Sequence, residues 1–107
     1  MKKLLITFFI VISNVCLSAK SNLDSLYTIW QDENKSDTIR TNAYFDYIWD
    51  GYLYSNPDTA YILAQDMLLF GDEKSYPIAK FKAYNLMGIS KKVRSNYSEA
   101  LDYYKKS

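Results

Sequence analysis

The 107-residue chain has no histidine, a single cysteine, two prolines and three glycines. Without histidine it lacks the commonest general base and the usual pH switch. The cysteine, Cys16, lies within an N-terminal targeting segment. Once that segment is removed the chain has no thiol, no disulfide and no zinc site built on Cys or His. No phosphate loop, nucleophile elbow or metal-ligand spacing occurs. No cofactor is implied and no metal site is expected. So few glycines and prolines leave long uninterrupted stretches, which suit helices better than a turn-rich β fold.

What is present is enough for one small domain. Hydrophobic residues make up 49% and charged residues 23%, which is ordinary for a chain that buries a core, and 11 tyrosines dominate an aromatic content of 17%. The start reads as a secretory signal peptide over residues 1–19. Lys2 and Lys3 give a positive beginning, and Leu4 to Ile12 is apolar apart from Thr7. Ser13 and Asn14 break the run, and Ser18 and Ala19 supply a cleavage site. The apolar run is too short to span a bilayer comfortably. A buried N-terminal helix and an uncleaved anchor are the competing readings. A lipoprotein signal would put a small residue just before its cysteine, and Val15 precedes Cys16. The expected location is therefore outside the cytoplasm, in the periplasm or on the extracytoplasmic face of the membrane.

The near-neutral total of +1 hides an uneven distribution. Residues 20–73 carry three basic side chains against ten acidic, a net −7, and residues 74–107 carry eight against two, a net +6. Successive helical layers that attract one another account for this, as would an extended surface with an acidic and a basic end. Nucleic acid is a poor partner for an exported chain of this balance.

Helical signals follow in order. Ser21-Asn22-Leu23-Asp24 opens a short helix to Trp30, with Leu23, Leu26, Tyr27 and Trp30 on one face. After the polar break Asn34 to Ser36, Asp37 is expected to cap a second helix to about Tyr54, whose wide apolar stripe requires neighbours on two sides. Asn56-Pro57-Asp58 caps and starts a third helix, which Gly71 is expected to end. Pro77 starts a fourth, predicted to run to about Arg94. Ser95-Asn96 then breaks the chain, and Tyr97 opens a last helix with Ala100, Leu101 and Tyr104.

Two helix-turn-helix units share a pattern. Tyr84-x2-Met87-Gly88 is followed, twelve residues from Gly88, by Ala100 within Asn96-Tyr97-Ser98-Glu99-Ala100-Leu101-Asp102-Tyr103-Tyr104. Tyr44, Tyr47, Ile48, Ala60 and Ala64 occupy the corresponding places of the first unit. This resembles the tetratricopeptide repeat family. The resemblance covers residues 37–107 and implies an all-α fold of stacked antiparallel hairpins, an α-solenoid, preceded by a leading helix and linker at residues 20–36. Ala60, Gly88 and Ala100 would then mark close crossings of paired helices. Several places depart from the pattern. Ile48 fills a glycine slot, Lys91 an aromatic one, and Ser95 replaces the turn glycine. Ala60 and Ala100 are forty residues apart, against a family period of about 34. The stretches Asp37 to Arg40 and Tyr54 to Ala60 also resemble the N-terminal sensor regions of exported bacterial tetratricopeptide proteins. Many of these continue into a membrane span and a histidine kinase or a helix-turn-helix regulator. Stacked repeats need three or more units, so either the natural chain is expected to continue past Ser107 or a partner is expected to cover the exposed end.

These readings make the segment an exported protein–protein or peptide interaction module, the sensory or scaffolding part of a longer regulator and not itself a catalyst. The alternatives are the extracytoplasmic part of a sensor kinase and a surface nutrient-binding lipoprotein. Asp46 and Asp50, four apart, read as solvated helix carboxylates before they read as an acid/base pair. Lys91, Lys92 and Arg94 form a basic cluster near an expected helix end. In the resembled family the first helix of each unit lines a partner groove. Matched by position, its residues here are Phe45, Trp49 and Tyr52, with Lys82, Asn85, Ile89 and Lys92. Core packing of Phe45 and Trp49 is the competing reading. The lysines suit an acidic protein or peptide segment.

Overall fold

A computed structural model describes residues 22–106, all of whose regular elements are helical. The signal peptide at residues 1–19, Cys16 and the Ser21 cap lie outside the described residues. Helix α1 spans residues 22–31. Helix α2, Asp37–Ile48, continues into a π-helical turn, Trp49–Leu53; α3 is Pro57–Glu73 and α4 is Pro77–Lys106.

Local chemistry explains the helix starts. Ser36, not Asp37, caps α2, its hydroxyl accepting from the Ile39 N–H. Asp37 falls instead in the first turn, where a carboxylate favours the positive end of the helix. Asn56 caps α3 by accepting from the Thr59 N–H, with Pro57 at the first helical position. The end of α3 differs from expectation. Gly71 is helical, the helix runs on to Glu73, and the turn is made at Ser75, whose φ is +51°. The Tyr76 N–H reaches back to Gly71 O (2.8 Å) and the Ser75 N–H to Asp72 O (3.3 Å). These are the two bonds of a Schellman stop, with serine where glycine is usual.

Matching stripes join α3 and α4. Ala60, Ala64, Met67 and Gly71 are buried on α3, and Ala79, Ala83, Leu86 and Ser90 on α4, with the same spacing. In the antiparallel hairpin small residues meet at both ends, and each large one faces an alanine between them. Gly71 is the tightest point. A Cβ there would lie 2.6 Å from Lys80 Cγ and 3.0 Å from Lys80 N. Three lateral pairs fix the same register: Asp72–Lys80 (2.8 Å), Tyr61 with Lys91 Nζ 5.3 Å from its ring, and Asp58–Arg94 (3.4 Å). In each pair the two residue numbers add to the same total.

The expected break at Ser95-Asn96 is absent. Residues 77–106 form one helix, so the segments carrying Gly88 and Ala100 do not pair with each other. Serine and asparagine each cost a helix only about 0.5 kcal/mol, and neither glycine nor proline forces a turn there. Gly88 is no crossing point either: it is exposed, and a Cβ would meet nothing within 4 Å. Ala60 is fully buried on α3.

Helices α1 and α2 complete the core through aromatics. Trp30 stacks on Tyr44 (4.0 Å, 5° between planes) and tilts against Phe70 at 4.8 Å. Arg40, only 9% exposed, donates from Nε to Trp30 O (2.9 Å) and lies over the Phe70 ring at 4.9 Å. Thr41 is buried beside it in sequence, with no partner for its hydroxyl. An unpaired buried hydroxyl is costly, so Thr41→Val is expected to raise unfolding stability by about 1 kcal/mol. Urea denaturation checks this.

Candidate functional site

Helices α2 and α4 run parallel, side by side. Thr38 Oγ1 meets Tyr76 OH (3.0 Å), Lys82 Nζ donates to Asn42 Oδ1 (2.7 Å), and Tyr97 OH donates to Tyr54 O (2.7 Å). The offset along the sequence is close to forty residues throughout, at 38, 40 and 43. Two helices held this way, with α3 connecting them, present one shared face.

Six of the seven residues picked out by sequence fall on that face. On α2 and its π turn, Phe45 stacks on Trp49 at 5.6 Å, and Trp49 meets Tyr54 edge-on at 6.1 Å. Both rings are half-buried and pack against the core. On α4, Lys82, Asn85, Ile89 and Lys92 recur at helical spacing. Lys82 is held in place by Asn42 and sits 5.2 Å over the Phe45 ring, so it belongs partly to the scaffold. Asn85 and Lys92 are exposed and Ile89 is half-buried.

Tyr52 is the exception. Its ring packs against Tyr47 at 5.4 Å, and the two hydroxyls, five residues apart, meet at 3.2 Å. Tyr47 in turn packs on Tyr27 of α1 at 5.2 Å. The π turn inserts an extra residue into the helical cycle, which turns Tyr52 from the α4 side toward α1. The hydrogen bond to Tyr52, with burial second, pushes the Tyr47 hydroxyl up to about 12. Burial foremost, then the Asp66 carboxylate, raises Tyr44 further still. Tyr47 and Tyr44 therefore stay protonated near neutrality and serve as neutral hydrogen-bonding groups.

Sequence reasoning missed the most exposed apolar side chains of this face. Phe81 is 67% exposed and Ile78 53%, both on the first turns of α4 beside Lys82 and Asn85. The spacing of Phe81, Asn85, Gly88 and Lys92 would have shown the stripe. The basic cluster separates in space. Lys92 follows the helical stripe of Lys82, which meets α2, while Lys91 and Arg94 lie toward α3. There they border a shallow cleft of about 320 Å³, with Pro57, Tyr61 and Ile62 opposite. Asp46 and Asp50 are both exposed, Asp50 already within the π turn.

Among the described residues no group of three or more His, Cys, Asp or Glu side chains is arranged to hold a metal ion. No helix among them is long and apolar enough to cross a membrane. Protein-family models, curated proteins and solved structures contain no match to the chain.

Proposed function

We propose that the chain is an exported interaction module that holds an acidic-apolar protein or peptide segment along the α2–α4 face. The observation that carries this reading is the joint presentation of half-buried and exposed aromatic rings and cations on two parallel helices. Phe45, Trp49 and Phe81 supply the apolar surface, and Lys82 and Lys92 flank it. A partner with one apolar edge and carboxylates nearby would satisfy both. The parallel placement of α2 and α4, joined by α3, supports a tetratricopeptide-like arrangement, in which α2, α3 and α4 act as first, second and next-first helices of successive units. The Lys2-Lys3 start and the apolar run to Ile12 support export. A sensory or scaffolding role within a longer regulator agrees with both.

Selection from a random peptide library on the immobilised chain tests the binding reading. Enriched peptides are expected to combine Asp or Glu with aromatic or aliphatic residues, and Lys92→Glu should weaken them at least about tenfold through charge reversal. Phe81→Ala should weaken them by a similar factor. No enrichment, or peptides indifferent to both changes, removes the α2–α4 face from consideration.

A further inference from the structure

We propose that two copies of the chain associate face to face through the other side of the α3–α4 hairpin, about a twofold axis running along the seam between the helices. This goes beyond the peptide-binding reading and uses a different surface. The residues concerned form two stripes of identical spacing. On α3 they are Asp58, Ile62, Gln65, Leu69 and Asp72; on α4 they are Lys80, Tyr84, Met87, Lys91 and Arg94. Ile62, Leu69 and Tyr84 are 58%, 65% and 58% exposed, a large share for apolar side chains on one small surface.

The charge arrangement is what selects a second copy as the occupant. The α3 edge is acidic at both ends and the α4 edge is basic at both ends, so the surface is its own electrostatic complement. The pairs Asp58–Arg94 and Asp72–Lys80 also stand level with each other across the seam. Rotation by half a turn about an axis along that seam keeps every residue at its level and exchanges the two edges. Asp72 then lies over the partner's Lys80, Asp58 over the partner's Arg94, and Leu69 over the partner's Tyr84. Gln65 falls over the partner's Met87, and Ile62 over the aliphatic stem of the partner's Lys91. Each contact occurs twice, as an isologous interface requires. The apolar residues occupy the middle and the ion pairs the ends, the usual layout of a stable interface. The α2–α4 face stays open in such a dimer, because it lies on the opposite flank of α4.

Sedimentation equilibrium over a concentration series reads the association. The purified chain is expected to show a monomer–dimer equilibrium. Leu69→Lys, which removes a leucine from each half of the interface, should raise its Kd by at least about 30-fold. Because Leu69 is 65% exposed, its replacement should leave the helical circular dichroism unchanged. Two edge reversals give the sharper test. D58K/D72K makes both edges basic, and K80D/R94D makes both acidic. Each alone should lose self-association by at least about tenfold, and an equimolar mixture should recover a heterodimer. A chain that stays monomeric throughout overturns the proposal. So does a dimer indifferent to Leu69→Lys and to the reversals, which would place the contact elsewhere, residues 1–19 included.

Discussion

Trp30→Ala is expected to lower unfolding stability by about 3 kcal/mol, the usual range for removing a large packed aromatic side chain. The indole ties α1 to the rest of the fold. It stacks on Tyr44 at 4.0 Å, tilts against Phe70 at 4.8 Å and lies 5.7 Å from the Arg40 guanidinium. Arg40 suffers as well. It is 9% exposed, neither ion pair among the described residues includes it, and its environment is two aromatic faces and the Trp30 carbonyl. Removing one of those faces leaves a buried cation less well compensated. Two measurements separate the consequences. Urea unfolding gives the total, and hydrogen exchange over residues 22–31 reads whether α1 has come loose. Trp30→Phe should recover more than half of the loss, since a ring still stacks on Tyr44. A loss under about 0.5 kcal/mol for the alanine variant would show that α1 is held by something else.

How much of this could be read from the residues depends on how local each determinant is. The start of α3 was legible because Asn56, Pro57 and Asp58 act within one turn, and the cap forms as their chemistry dictates. Six of the seven residues picked out were legible as neighbours because helical spacing fixes which side chains share a side. Tyr52 was not, since nothing in Trp49-Asp50-Gly51-Tyr52-Leu53 announces a π turn, and one inserted residue rotates everything after it. The stop after α3 was hidden for a different reason. Its left-handed residue is Ser75, which carries no such signal in sequence, while the glycine that resembled a stop serves close packing two residues before the helix ends. Ser95 and Asn96 read as a break because they favour caps and turns. That preference is worth less than the helical bonds they make when α4 simply continues.

Gly71 and Gly88 are expected to respond in opposite directions to the same substitution. At Gly71 an added methyl would lie 2.6 Å from Lys80 Cγ, 3.0 Å from Lys80 N and 3.2 Å from Tyr76 O. The lysine side chain can swing away, at the cost of its 2.8 Å bond to Asp72. The two backbone atoms can move only if α3 and α4 separate at the turn, where the Schellman bonds hold them. Gly71→Ala should therefore lower stability by about 2 kcal/mol, the scale of overpacking a tight contact, despite alanine's better helix propensity. At Gly88 no atom lies within 4 Å of the added methyl and the residue is exposed within α4. There only propensity acts, and Gly88→Ala should raise stability by about 1 kcal/mol. Denaturant midpoints of the two variants read both signs at once. The Gly88 result carries more weight, because a glycine needed for a hairpin crossing would lose stability on acquiring a methyl group. A destabilised Gly88→Ala variant would mean that a further helix packs against this side of α4 in solution, as the tetratricopeptide pattern requires. A stabilised one leaves α4 as the outer helix on that side.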